Sequence, residues 1–188
     1  MLRKPRLTAP IHFRWAQARH TVMLLGLAWA TALLLPVPTH AGKMVNDPQG
    51  FYGIPWGASL ANVPEIILTD SSEHIKEYKF KDSPKRLGDA EVERVRFSAI
   101  DGKFARVYIR YGGEKTHELV LAYLESRFGP VKRMPGMMVR GLNQQYNWRG
   151  TETEINMTYQ GYGERGYIYV ESRTLAARFL DVLPEGSF

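Results

Sequence analysis

The chain reads as an α+β protein: an antiparallel sheet, in the order ββαβββ after a short N-terminal unit, packed against one main helix. Three observations predict this. Val95, Phe97 and Ala99 alternate, and so do Ala105, Val107, Ile109 and Tyr111, which is the period-two signal of strands with one buried face. Leu119, Val120, Tyr123, Leu124 and Phe128 recur instead at helical spacing and give one apolar stripe. Further alternating runs follow: Tyr146 with Trp148, then Ile155, Met157 and Tyr159, then Ile168 and Val170.

In the first hairpin the two runs are joined by Ile100-Asp101-Gly102. Asp-Gly favours a two-residue type I′ turn, but that register pairs Phe97 with Arg106 and Val95 with Tyr108, so the apolar rows face opposite sides. A three-residue loop with Gly102 left-handed sets Phe97 opposite Ala105 and Val95 opposite Val107, and is the expected one. The other face then carries Arg94, Arg96, Arg106, Tyr108 and Arg110, with Arg96 directly opposite Arg106. Like charges so placed are mildly destabilising, so acidic groups are expected close by. Two readings stand: a solvated face balanced by glutamates, or an anion- or partner-binding surface.

The helix follows Gly112-Gly113. Thr116 is the expected N-cap, Glu118 suits the first turn, Arg127 complements the C-terminal end, and Gly129-Pro130 stops the helix. His117, beside that N-cap, is expected to be exposed. Val131–Asn143 is an irregular connection whose Met134, Met137 and Met138 read as core filler.

In the three-stranded part, Trp148 is expected opposite Ile155 and Arg149 opposite Glu154. Gly161–Gly166 makes the second reversal. Ile168 and Val170 then point inward, leaving Tyr167 and Tyr169 outward. Ser172–Leu183 reads as a short helix with Leu175, Phe179 and Leu183 on one stripe, placed to cover part of the outer face and hide those tyrosines.

Ahead of the hairpin, Phe51–Trp56 reads as a short extended piece in which Pro55 excludes a central strand position. Trp56 plugs a core edge, with ligand stacking as the alternative. Ser59 caps a single turn, and Ile66–Leu68 and His74–Phe80 read as further strands. Lys79–Ala90 is a charged loop.

At 188 residues the length suits one domain. Most of the +6 net charge lies in residues 1–41, which hold Arg3, Lys4, Arg6, Arg14 and Arg19 and no acid. The rest is nearly balanced, so the basic character gives no support for nucleic-acid binding. A basic start, the apolar run Val22–Leu35 and Thr39-His40-Ala41 together make a secretory signal peptide cleaved after Ala41. The run is shorter than the roughly 20 residues that span a bilayer, so no transmembrane span is expected once it is removed. Residues 42–188 then form a single periplasmic or secreted domain. With no Cys in the chain, disulfides, thiolate metal sites and a lipidated cysteine are excluded.

Gly161–Gly166 matches G-x-G-x-x-G by letters, but a strand rather than a helix follows, so it reads as a hairpin turn. After cleavage only His74 and His117 remain, without metal-ligand spacing. No G-x-S-x-G is present. No metal, cofactor or catalytic residue is expected.

The segments F-Y-G-I-P-W-G-A-S-L-A-N-V, G-D-A-E-V-E-R-V-R-F, D-G-K-F-A-R-V and Y-N-W-R-G-T-E-T-E-I together resemble a group of small, uncharacterised secreted bacterial proteins. The resemblance covers most of residues 51–172. Its motifs are turns, strand alternation and buried aromatics, and it implies no activity or active site. The expectation is therefore a non-catalytic periplasmic module that recognises an envelope protein or component. Arg94, Arg96, Arg106, Tyr108, Arg110, Tyr167 and Tyr169 are its candidate binding face, because Arg and Tyr carry binding energy at interfaces. The alternatives are a small-molecule or glycan-binding protein and a small envelope hydrolase.

Overall fold

The computed structural model describes residues 42–82, 85–131 and 143–182. The chain forms strands β1 (Gly42–Lys43), β2 (Gly50–Phe51), β3 (Ile54–Pro55), β4 (Ile66–Ser71), β5 (Ile75–Phe80), β6 (Lys85–Leu87) and β7 (Ala90–Val92). There follow β8 (Arg94–Ile100), β9 (Lys103–Gly112) and the main helix α1 (Glu114–Phe128). After them come β10 (Asn143–Arg149), β11 (Thr153–Gln160), β12 (Arg165–Ser172) and a single turn of helix, α2 (Arg178–Asp181).

The main sheet runs β1-β10-β11-β12-β9-β8-β5-β4. Seven strands are antiparallel to their neighbours, and the two-residue β1 adds to β10 in parallel. An antiparallel sheet with one main helix is thus present. The strands do not lie in chain order, because α1 carries the chain from β9 past two strand positions to β10. The meander then works back until β12 pairs with β9. The fore part also joins in: β4 and β5 extend the same sheet beyond β8.

The β8–β9 hairpin departs from the expected loop. Ile100 pairs with Lys103, so only Asp101 and Gly102 turn, with φ of 46° and 76°. Both central residues left-handed is the backbone of a type I′ turn. The register conflict that argued against this turn is removed by a β-bulge: Ser98 pairs with Arg106 and Ala99 with Phe104, leaving Ala105 as the extra residue. Beyond it Phe97 faces Val107 and Val95 faces Ile109, so the apolar rows coincide after all. Arg96 consequently lies opposite Tyr108, and Arg106 opposite Ser98; the expected Arg96–Arg106 juxtaposition does not form.

The main core lies between one sheet face and α1, with Phe97, Phe104, Val107, Ile109, Trp148, Ile155, Ile168 and Val170 fully enclosed. The α1 stripe is His117, Val120, Leu124 and Phe128, whereas Leu119 is 38% exposed. Gly113 rather than Thr116 is the N-cap, three residues earlier than expected. Trp148 keeps its polar atom satisfied by donating Nε1–H to the Gly129 carbonyl at 2.8 Å. Trp148 does pair with Ile155, Arg149 with Glu154, and Tyr167 and Tyr169 point away from the core.

The fore part packs over the core edge. β2 and β3 form a small hairpin turning at Tyr52-Gly53, and β6 and β7 form another where a charged loop was expected. Trp56 lies tilted against Phe104, 4.7 Å between ring centres, and donates to Thr153 Oγ1. The single turn at Leu60–Asn62 is present, but Ser59 makes no side-chain capping bond. Met134, Met137, Met138 and Leu183 lie outside the described residues.

Candidate functional site

Register places the predicted face residues in rows that run across the strands. One row reads Lys79, Arg96, Tyr108, Tyr169, Asn156 and Asn147 from β5 to β10. The next reads Arg94, Arg110, Tyr167, Thr158 and Gln145. A third, nearer the bulge, reads Glu77, Ser98, Arg106, Glu171, Glu154 and Arg149. All seven candidate residues therefore share the sheet face opposite α1.

Glutamates do lie among the arginines. Arg96 bonds Glu77 at 3.0 Å and Arg110 bonds Glu93 at 2.8 Å. Arg106 bonds Glu171, and its guanidinium also stacks over Phe179, 4.1 Å from the ring centre. Arg106 thus belongs to a small second core in which α2 covers Ile100 and Ala105. Its guanidinium is thus shared between Glu171, the Phe179 ring and, at 5.8 Å, the Tyr169 ring, and it helps to seat α2. Arg94 has no ion pair among the described residues and is exposed.

The tyrosines are not covered by α2, contrary to the expectation. Tyr108 stacks with Tyr167 at 6.3 Å and meets Tyr169 at 5.2 Å, making one aromatic cluster with Tyr169 41% exposed. Among the described residues none of the three hydroxyls has a hydrogen-bond partner in the protein, and none is a buried orphan. Partial burial, then the neighbouring phenols of Tyr169 and Tyr167, raise the pKa of Tyr108. It stays protonated, and so a hydrogen-bond donor, throughout the physiological range.

The histidines lie in two different environments. His74 is exposed and donates to Asp101 at 2.9 Å, while Arg178 pairs with the other carboxylate oxygen. Those contacts, the His74 hydrogen bond first, hold the Asp101 carboxyl below its ordinary pKa. His117 is buried, not exposed: its ring stacks on Tyr159 at 4.1 Å and its Nδ1 is 2.9 Å from the Tyr111 hydroxyl. With Tyr111 Oη–H donating to Nδ1, Nε2–H is left to point at Gln144 Oε1, 3.4 Å away. The signal was present in the sequence, since His117 stands at the helical phase of Val120, Leu124 and Phe128. Sequence reasoning missed it by attending to the neighbouring cap. No group of three His, Asp or Glu side chains suited to a metal occurs among the described residues.

Tyr146 and Trp148 are core residues, which counts against a ligand cleft lined by Trp56, Tyr146 and Trp148. A cleft of about 780 Å³ does open elsewhere, between the β2–β3 hairpin and the last turns of α1, where Gln49, Tyr52, Tyr123 and Arg127 line it. Tyr52 has a hydroxyl that is buried without a partner, and burial pushes its pKa up. No family model, curated protein or solved structure matches this chain.

Proposed function

We propose that residues 42–188 act in the bacterial envelope, after cleavage behind Ala41, as a non-catalytic module that binds an envelope protein or component through the outer sheet face. The observation that supports it is the Tyr108, Tyr167 and Tyr169 cluster, flanked by Arg94, Arg96 and Arg110, on a face that neither helix covers at that point. Large, rigid aromatic and guanidinium groups lose little entropy on docking and bury much surface. Gly42 and Lys43 already pair with β10, so cleavage after Ala41 leaves the described fold whole.

The test is photocrosslinking in intact cells from a photoreactive residue at position 169, with the same residue at position 162 as control. Tyr162 is 93% exposed but sits in the β11–β12 turn, off the face. A discrete adduct at 169 that is absent at 162 is expected. Identical products from both positions, or none from either, would remove the face from consideration.

The cleft beside α1 favours a second reading, a small-molecule or glycan-binding protein. An envelope sugar or short peptide that raised Tm, with the effect lost in Arg127→Ala but kept in Tyr169→Ala, would move the binding function there.

A further inference from the structure

The chemistry of the partner follows from which groups on the face are already committed, given that the face is the binding surface. Glu77, Glu93 and Glu171 are each held by one arginine, and Glu154 lies between Asn147 and Arg149. The acidic groups nearest the tyrosines are thus matched. Asp70, opposite Glu77 on the edge strand β4, accepts only from the Ser71 backbone and has no ion pair among the described residues. Of the basic groups, Lys79, Arg94 and Arg165 have no ion-pair partner among the described residues. Arg165 belongs to the same face, two positions before Tyr167 on β12. A positive excess therefore surrounds the tyrosines, and the three free phenols add neutral donors that do not compete for it.

We propose that this face docks an extended acidic segment of a protein partner. Asp or Glu side chains of the segment are received by Arg94 and by the outer edge of the Arg110–Glu93 pair. The hydroxyls of Tyr108, Tyr167 and Tyr169 donate to its remaining carboxylate and carbonyl oxygens. Hydrogen bonds with one ionised member are shorter and roughly twice as strong as neutral ones, which favours carboxylates over uncharged acceptors.

A protein segment fits better than an anionic bilayer. The cationic groups lie on the flat of a sheet, and α2 stands on the same face over Ile100 and Ala105. A planar membrane would meet α2 before it met the tyrosine cluster, whereas a single extended chain lies beside it. Successive strands are about 4.8 Å apart, so a chain crossing β8, β9 and β12 passes Arg94, Arg110 and Tyr167 in turn.

The experiment measures binding of a fluorescent oligoglutamate peptide to the mature protein, beside vesicles of phosphatidylglycerol in phosphatidylcholine. Peptide binding that weakens steeply with added salt is expected. Arg94→Glu should weaken it about tenfold or more, and Tyr167→Phe with Tyr169→Phe severalfold, with the thermal midpoint of each variant little changed. Arg94→Ala serves as the milder variant should charge reversal perturb folding. Three results overturn the proposal: no peptide binding at low salt, binding indifferent to Arg94→Glu, or binding to the vesicles alone. A partner still captured from position 169 in any of those cases would leave the binding reading standing with a different partner chemistry. Loss of the position 169 adduct would instead sink the binding reading itself.

Discussion

Gly166 is directly opposite Tyr111 in the sheet, and a Cβ added there would lie 1.8 Å from the phenol ring. The ring cannot swing aside, because it is fully buried and tied through its hydroxyl to His117. Gly166→Ala should cost about 3 kcal/mol or more in unfolding free energy, read from a urea titration. His117→Ala removes the ring stacked on Tyr159 and leaves the Tyr111 hydroxyl unpaired, for an expected loss of about 2–4 kcal/mol. His74→Ala, at an exposed site, should cost less than about 1 kcal/mol. Equal losses for the two histidines would show that the Tyr111–His117 pair is not part of the packed core.

Asp101 gives the pH dependence at this scale. Its carboxyl has a lower pKa folded than the ordinary 3.8, held down by the His74 hydrogen bond and then by Arg178. Its contribution to stability is therefore complete above that ordinary value and is lost as the pH falls through the lowered one. Asp101→Asn isolates the charge, because Asn accepts the left-handed backbone of a type I′ turn as readily as Asp. The urea midpoint of the variant should lie below that of the wild type near neutrality, and the gap should close on acidification below 3.8. A gap that persists in acid would mean that the charge is not what holds the turn.

At the scale of elements, the β8–β9 hairpin shows how one extra residue settles a register. Asp101-Gly102 made its type I′ turn, and Ala105 bulged to bring Phe97 and Val107 onto the same side. Deleting Ala105 should keep every pair from Ser98–Arg106 outward, because the alternation of β9 beyond the bulge is untouched. The expected cost is about 1–2 kcal/mol from the lost contact in the second core. Full unfolding of the deletion variant would show that the bulge also sets the twist the sheet needs. α2 depends on one side chain in the same cluster: Phe179→Ala should release the Arg106 guanidinium and speed amide exchange around Ile100, with the exchange of α1 unchanged.

At the scale of the molecule, the targeting reading and the sheet face belong together. On the proposed targeting, N-terminal sequencing of the protein recovered from cells should give Gly42 first; a product still carrying Val22–Leu35 would place the domain on an uncleaved anchor. The exposure of Leu119 was not legible in the sequence, and the place of His117 in the helix stripe was missed. The rest of the stripe, the strand periods, the pairing of Trp148 with Ile155 and the outward tyrosines were legible, because each depends on alternation within a short stretch. The candidate face was legible for the same reason. Its division into Arg106, committed to α2, and Arg94, left free, was not legible.

The local pattern of the sequence by itself determined the strands of the main hairpin and of the three-stranded part, the main helix, and which side of those strands is apolar. It did not mark β6 and β7, which stand where a charged loop was expected. The choices it did make follow from period and turn chemistry alone. Tertiary structure decided the rest: β12 beside β9, the bulge at Ala105, the burial of His117 and the glutamate that each arginine meets. These are contacts between residues far apart in the chain. They are fixed only when the sheet closes over α1 and the apolar rows have to share one core.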